Sequence, residues 1–386
     1  MPAALPVRQT TLLATLGSVT VMPLLILPVM IGALIDGTAM SGSQAGWAAA
    51  VGSAGGAVAS IAVSLRVHHL SLRHLAAFSL VLMALADGLS SIAVTQPVGV
   101  FLIIRFLAGL GGGAAYAAVM ATFARWDEPD RAYGVFMMMQ FALSALGLYG
   151  LPLLLPTIGV SGLYLLFAGV GLAALTLVFE LPTRGAPDEP AAIQEIEWHF
   201  ILSRSGLLVL VAIGLYEAAN TSHFAYAERF GLWFSMTPPQ IGAVLGIATV
   251  VGIPGAFAVV WLGDRAGRLV PIAMAIAAQV LALLLLLGPK SFGMYTLSMC
   301  VLSITWAFAM PYFQAIEAQI DPGGSVVAAG GFCTSAGGAL GPAMAAAVLG
   351  EGQYQNIVFS AIAVYALCLV LITAAVRALN LKRCRV

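Results

Sequence analysis

The chain has 386 residues, of which 61% are hydrophobic and 8% charged, with a mean hydropathy of +1.01. A water-soluble protein of this length could not bury so much apolar surface, so lipid must solvate most of the chain. The formal net charge is zero and there is no long basic run, so we expect no nucleic-acid partner.

Apolar stretches long enough to cross a bilayer recur along the whole chain. Six precede the long hydrophilic stretch LPTRGAPDEPAAIQEIEWHF (181–200), at about 12–35, 42–65, 74–94, 98–121, 132–155 and 161–180. Six more follow it, at about 206–230, 239–262, 269–288, 291–315, 325–349 and 354–378. Pro23 and Pro28 predict a kink in the first span.

This pattern predicts an all-α membrane protein with twelve transmembrane helices in two pseudo-symmetric six-helix bundles. The N-terminal bundle is expected at 1–180, a linker at 181–205 and the C-terminal bundle at 206–386. The segment MSGSQAG (40–46) recurs as MTPPQIG (236–242), and both copies open an even-numbered span. Two halves related in parallel are typical of a transporter whose site lies near the membrane midplane between them.

The basic residues orient these helices, because Lys and Arg concentrate on the cytoplasmic side. With both termini inside, thirteen of the sixteen basic residues lie at the inner side. Arg229 and Lys290 lie outside, and Arg105 falls within a span. We therefore expect a multi-pass protein of a bacterial-type inner membrane, with both termini and the linker in the cytoplasm.

The sequence gives little support to an enzyme. There is no nucleophile–base constellation and no His, Asp or Glu cluster at metal-ligand spacing. There is no P-loop for ATP, and none of the four cysteines has the CxxC spacing of a metal or redox site: Cys300, Cys333, Cys368 and Cys384. We expect no metal and no cofactor.

Three short motifs point to a family. The loop WLGDRAGR (261–268) puts Asp264 where it can cap a helix and pair with Arg265 or Arg268. It resembles the loop signature of the major facilitator superfamily of secondary transporters. RFLAGLGGGAAYA (105–117) resembles the Arg-x-x-x-Gly helix motif of that superfamily, and GGALGP (337–342) is similar to its Gly-x-x-x-Gly-Pro pattern.

Two segments depart from the family pattern. In RVHHLSLR (66–73), His68 stands where the second half has Asp264, so we expect a charged latch mainly in the second half. GLYGLP (147–152) is a loose version of the glycine–proline pattern associated with antiporters, and it does not fix the direction of transport. The resemblance implies that the first, fourth, seventh and tenth helices line a central cavity.

Ionisable groups inside a span are costly and usually functional. Asp87 in the third span and Arg105 in the fourth lie at matching depth, so we hypothesise an ion pair, which is either static or part of the coupling. Glu217 lies near the middle of the seventh span and is the first candidate for proton coupling. His223, on the same helix, is a candidate relay; a hydrogen-bonded packing role stays open for both.

The seventh span carries a polar wedge. Glu217, Asn220, Thr221 and Phe224 share one face, and Tyr216, Asn220 and His223 form an overlapping stripe. With the family layout, the predicted substrate contacts are Arg105, Tyr116, Gln140, Tyr216, Asn220, Thr221, Phe224, Trp306, Tyr312 and Gln314. The predicted proton-coupling residues are Glu217, Asp87 and His223.

Charges near the span ends suggest gates. Glu228 and Arg229 lie near the outer end of the seventh span, as an interfacial gate or a solvated pair, and Asp36 at the end of the first span has the same ambiguity. The predicted gating set is Asp264, Arg265, Arg268, Asp36, Glu228 and Arg229.

The sequence therefore predicts a monomeric, proton-coupled secondary transporter that works by alternating access, with the proton gradient as its energy source. Few charges and several aromatic residues near the expected site favour a small organic solute that is apolar, aromatic or anionic. The alternative is a proton-driven multidrug or metabolite efflux antiporter, for which Glu217 and Asp87 would favour cationic substrates.

Overall fold

The computed structural model describes residues 7–64, 66, 70–124, 126, 129–182, 198–263, 265, 267–321, 325–350 and 352–383. The secondary structure of these residues is helical, without a β-strand among them. The chain divides into two compact units, Met1–Glu189 and Pro190–Val386. Each unit is an all-helical body.

The first unit contains seven α-helices within its described residues: α1 (Val7–Thr20), α2 (Met22–Leu25), α3 (Leu27–Gly37), α4 (Gly42–Ser64), α5 (Leu72–Ala93), α6 (Val98–Phe123) and α7 (Pro129–Ala174). A 3-10 helix, Leu175–Glu180, continues α7.

The described part of the second unit begins with a short helix and continues with longer ones: α8 (Trp198–Ile201), α9 (Arg204–Ala225), α10 (Ala227–Trp233), α11 (Pro238–Val251), α12 (Ile253–Leu262), α13 (Leu269–Leu285), α14 (Phe292–Ile320), α15 (Ser325–Val348) and α16 (Tyr354–Arg383).

The predicted kink in the first span is confirmed. Non-helical backbone at Val21 and Ile26 separates α1, α2 and α3, and a proline lies in the first turn of both α2 and α3. Proline has no N–H to donate and is tolerated where a helix begins, so each proline starts a new helical segment.

The predicted fifth and sixth spans are joined by a single non-helical residue. Gly159 has φ 63° and ψ −176° within α7, and glycine reaches this conformation without the steric penalty of a Cβ atom. Two apolar segments therefore follow one another with hardly any connecting loop.

Eight helices in the described ranges are long and apolar enough to cross a membrane. They include Arg131–Glu180 as one span of 50 residues, while Leu27–Gly37 and Leu269–Leu285 are shorter apolar helices. The predicted number of twelve is thus not reproduced by length and composition alone, in part because Gly159 joins two predicted spans and the first span is divided. The number twelve stays a prediction.

Close helix packing in the first unit depends on small residues. On α4, Gly55 and Gly56 meet the backbone of α6, and a Cβ atom at Gly113 of α6 would overlap the backbone of Gly56. Ser60 Oγ donates to the Gly113 carbonyl at 3.1 Å across the same contact. Such approaches are typical of helices that associate in lipid, where burial of apolar surface gives little driving force.

In the second unit, α9 packs against α15 and α16. At the α9–α15 contact, a Cβ atom on Gly337 would overlap the Gly214 carbonyl and lie 3.0 Å from Cβ of Glu217. This contact brings the polar part of α9 directly against α15 and sets the position of the site described below.

Gly113→Ala should destabilise the protein, by about 1–3 kcal/mol, because the added methyl group forces α4 and α6 apart. Gly134→Ala is the matched control: Gly134 is exposed in α7 with open space around its Cα, so alanine should be neutral or stabilising there, by up to about 1 kcal/mol. Thermal unfolding in detergent measures both. Equal unfolding temperatures for the two variants would contradict the packing described here.

Candidate functional site

The polar stretch 216–230 is divided by the backbone. α9 begins after Ser203, whose Oγ accepts from the Gly206 amide at 3.0 Å, and ends at Ala225. Tyr226 is non-helical, with φ −107° and ψ 15°, and α10 follows. Glu217 and His223 therefore belong to one helix, and Glu228 and Arg229 to the next.

Glu217 is buried and held by one neutral donor. Its side chain is in contact with α15 at Gly337, and the residue is 8% exposed. Glu217 Oε2 accepts a hydrogen bond from the indole Nε1 of Trp306 on α14, at 2.9 Å. No basic side chain in the described part of the chain forms an ion pair or hydrogen bond with this carboxyl group.

Tyr216 is the centre of a buried network beside Glu217. Its hydroxyl accepts from Nε2 of Gln279 at 2.9 Å and lies 3.3 Å from the carbonyl oxygen of Thr305, to which it donates. Its ring packs on Phe313 and Tyr365, with centroids 5.0 and 5.6 Å away. The hydroxyl predicted to bind substrate is thus engaged by α13 and α14.

His223 bonds to α16. Its Nε2 lies 3.3 Å from the Tyr365 hydroxyl, and the residue is 3% exposed. Tyr365 in turn packs on Tyr216, so an aromatic pair links the histidine to the network beside Glu217. This arrangement suits a packing role and a relay equally, and the relay stays a prediction.

The other predicted residues of the wedge fall into two groups. Thr221 is buried, and its Oγ1 lies 2.8 Å from the Glu217 carbonyl and 3.3 Å from that of Gly337, so its hydroxyl serves the α9–α15 contact. Asn220 and Phe224 are half-buried, as is Trp306.

On α14, the predicted residues differ in exposure. Tyr312 is buried, and its hydroxyl donates to the carbonyl of Gly263 at 3.0 Å, at the end of α12. Gln314 is exposed. Tyr312 therefore ties α14 to the loop after α12 and has no hydroxyl proton left for a solute.

The hypothesised ion pair in the first unit is confirmed. Arg105 Nη1 lies 2.6 Å from Asp87 Oδ1 and 3.2 Å from Oγ of Ser90, and both charged side chains are buried. The guanidinium also lies over the Tyr164 ring, 5.0 Å from its centroid. Arg105, predicted to meet a substrate anion, is thus occupied by Asp87 in this conformation.

Two more predicted substrate residues lie in the first unit. Tyr116 is half-buried and packs on Phe136, with ring centroids 5.9 Å apart, within the apolar core of that unit. Gln140 is half-buried on α7. Their roles stay predictions.

Among the predicted gating residues, Glu228 and Arg229 form a bidentate pair, with Arg229 Nη2 at 2.8 and 2.9 Å from the two carboxylate oxygens. Both residues are buried, so the alternative of a solvated pair is wrong: α10 turns them into the bundle interior. Asp36 is exposed at the end of α3.

The loop after α12 contacts α14. Arg268 Nη1 donates to the Ala315 carbonyl and to Oε1 of Gln319, the latter at 2.7 Å. Arg265 is exposed and donates to the Trp261 carbonyl at 3.3 Å. Asp264, the third member of the predicted latch, lies outside the described residues.

Several residues at or near these sites are not predicted by the sequence pattern. Gln279 and Tyr365 are single polar groups within apolar runs, and their partners lie far away in the sequence. Glu317, fully buried on α14, lies two residues beyond the predicted end of the tenth span. A more generous span boundary would have included it.

Comparison with known proteins shows the family of this chain. The model of the Major Facilitator Superfamily matches residues 10–342. The chain belongs to the major facilitator superfamily. No curated protein matches its sequence.

Solved structures share the fold at low sequence identity. A point mutant of the nucleoside transporter NupG has a TM-score of 0.79 and 11% identity, over 95% of this chain and 99% of that one. The POT family transporter PepTSo has a TM-score of 0.76 and 11% identity, over 98% and 99%. A bacterial homologue of the human lysosomal transporter Spinster has a TM-score of 0.68 and 12% identity, over 97% of each chain.

Family and fold together make this protein a multi-pass membrane transporter and not an enzyme. Members of this superfamily carry out secondary active transport of small molecules. The predicted membership of the family is therefore confirmed over residues 10–342 and not only at the three short motifs.

Asp87→Asn should destabilise the protein more than Arg105→Gln does. The first variant leaves a buried guanidinium that cannot lose its charge, at a cost of about 3–5 kcal/mol, whereas a lone Asp87 can bind a proton and become neutral. The double variant should recover part of the loss. Thermal unfolding of the three variants tests this order, and a stable Asp87→Asn protein would show that the pair is dispensable.

Proposed function

We propose that the protein couples the movement of a small organic solute to that of protons, with Glu217 as the coupling carboxyl group. The proposal rests on the fact that this carboxyl group is buried without a basic partner among the described residues. It is buried against α15 and receives one hydrogen bond, from the neutral indole of Trp306. A carboxylate in such surroundings is stabilised far less than one beside a cation.

The contrast with Asp87 supports this assignment. Asp87 lies 2.6 Å from a guanidinium, so its negative charge is compensated where it stands. Glu217 has no such compensation from a described residue, so its charge state depends on proton supply and on the conformation around it. Of the three predicted coupling residues, Glu217 is therefore the best placed to bind and release a proton.

The surroundings of Glu217 favour a solute with an apolar or aromatic body. Half-buried Trp306 offers aromatic surface at the carboxyl group, and half-buried Phe224 lies about two turns further along α9. The hydroxyl groups of Tyr216 and Thr221 already bond within the bundle. Few polar groups are left to recognise a sugar, whose many hydroxyl groups each need a partner.

An organic anion is the second class that the charges favour. Arg105, a buried basic group, is the predicted partner of such an anion, and Asp87 occupies its guanidinium in this conformation. Binding of an anion would need Asp87 to give up its charge or its position. A proton on Asp87 would thus release Arg105, which offers a direct link between proton binding and anion binding.

Efflux is the competing mode, and a buried carboxyl group with an aromatic neighbour also suits a cationic aromatic solute. The direction of proton movement separates the two modes. Alkalinisation of the medium on addition of solute to cells supports symport, whereas proton-driven accumulation in everted vesicles supports antiport.

Glu217→Gln should abolish solute accumulation driven by a pH gradient but keep solute exchange between the two sides of the membrane. Glutamine can still accept from Trp306, but it cannot carry a proton. A thermal-shift screen of organic acids, aromatic compounds, sugars and drugs first supplies the solute, and proteoliposome uptake then compares the variant with wild type. Glu180→Gln, at the end of the 3-10 helix of the other unit, is the control and should behave as wild type. Full pH-driven accumulation by Glu217→Gln would refute the proposal.

Arg268→Met should slow turnover and leave solute binding intact, because it removes the two hydrogen bonds that tie the loop after α12 to α14. Arg265→Met is the matched control, since Arg265 is exposed and bonds within its own turn. Transport rates in proteoliposomes and thermal-shift binding curves measure the two effects. Normal turnover of Arg268→Met would show that the loop has no gating role.

A further inference from the structure

A second buried carboxyl group lies on α14, near the end that contacts the loop after α12. Among the described residues, three buried side-chain oxygens have no hydrogen-bond partner: Oγ of Ser205, Oε1 of Gln279 and Oε1 of Glu317. Only the last belongs to an ionisable group. Glu317 is only 1% exposed, so bulk water has little access to its carboxyl group.

The carboxyl group of Glu317 is pressed against α15. A Cβ atom added to Gly330 would overlap Cδ and both carboxyl oxygens of Glu317, so the absence of a side chain at Gly330 is what makes room for the acid. Along α14, Phe313 and Ile320 flank Glu317 one turn before and one turn after it, and both are buried. The enclosure is therefore largely apolar.

The charged and titratable groups around Glu317 do not neutralise it. Arg268 donates to Ala315 and Gln319, which lie two residues before and two residues after Glu317 in α14. Positions two apart in a helix face away from each other, so Arg268 lies on a different face of α14 from Glu317. Asp321, the residue that follows the end of α14, accepts from the backbone amides of Ser325 and Val326 and brings no positive charge to Glu317.

On α15, half-buried Cys333 is the titratable residue near the carboxyl group, and no hydrogen bond joins the two side chains. The basic residues described on the other helices packed against α15 are His199 in α8, Arg204 and His223 in α9, and Arg377 in α16, and none of them forms a bond with Glu317. An anion here would have no cationic partner among the described residues, whereas the neutral acid forfeits only a hydrogen bond.

We propose that Glu317 is a second proton-binding site, at which α14 and α15 enclose a protonated carboxyl group. The same two helices also hold Glu217, through Trp306 of α14 and Gly337 of α15. Trp306 and Glu317 are eleven residues apart, or about 16 Å along the helix. A shift of α15 along α14 would thus change the surroundings of both acids together. The site deepens the proposed function, and it rests on that function only for the role of its proton in coupling.

Infrared spectroscopy of the full-length protein in lipid tests the site without a substrate. At neutral pH, wild type should show the C=O stretching band of a protonated carboxyl group, with a small shift in heavy water. This band should be lost in Glu317→Gln and kept in Glu217→Gln. A difference between wild type and Glu317→Gln that contains only carboxylate bands would overturn the proposal.

A second pair of variants covers the case in which Glu317→Gln does not fold. Gly330→Ala places a methyl group against the carboxyl group and should change the frequency of its band. Gly331→Ala, on the same helix with open space around its Cα, should leave the band unchanged. Identical spectra for the two variants would contradict the proposed enclosure.

The infrared and transport results are independent. A protonated Glu317 in a protein whose transport ignores pH gradients would refute the coupling and keep the site. An ionised Glu317 in a protein with proton-driven transport would refute the second proton-binding site and keep the proposed coupling.

Discussion

The rest of this structure depends on one constraint: it costs free energy to remove an ionisable group from water and bury it in an apolar helix bundle. The buried ionisable groups of this protein lower that cost in two ways. Asp87 and Arg105 form a close ion pair, and so do Glu228 and Arg229, so each charge is neutralised where it stands. Glu217 has only an indole N–H, and Oε1 of Glu317 has no partner among the described residues. A carboxyl group in the second situation becomes neutral by binding a proton.

The two solutions have different consequences for function. An ion pair between neighbouring helices holds them in one arrangement, and breaking it is expensive because one charge is left buried. A protonated acid can change its charge when its surroundings change, and so can bias a conformational equilibrium. The helices that enclose Glu217 and Glu317 meet through glycines, at Gly337 and Gly330, so small movements of α15 alter the space around each acid. This placement of the two acids is what supports the proposed coupling.

The sequence predicted the features that depend on residue type and depth. The matching distances of Asp87 and Arg105 from the outer turn predict their ion pair, and the prolines of the first span predict its interruptions. It does not predict contacts between helices that are distant in the sequence, such as the hydrogen bond from Trp306 to Glu217. That contact depends on how α9 and α14 are rotated about their axes when they pack, and neither segment alone specifies this. The fifth and sixth predicted spans are counted as one helix by length, because the single residue Gly159 takes the place of a loop between them. The burial of Glu228 and Arg229 depends on the break at Tyr226, for which the sequence carries no proline or glycine signal.

In the proposed coupling, a proton bound at a buried acid without a cationic partner drives solute movement. Proteoliposomes that contain the wild-type protein and receive a pH gradient alone, without sodium and with the membrane potential clamped, test it most directly. We expect the solute to move against its own gradient, and we expect a protonophore to abolish this movement. Solute movement that needs a sodium gradient, or that a protonophore leaves unchanged, would contradict it.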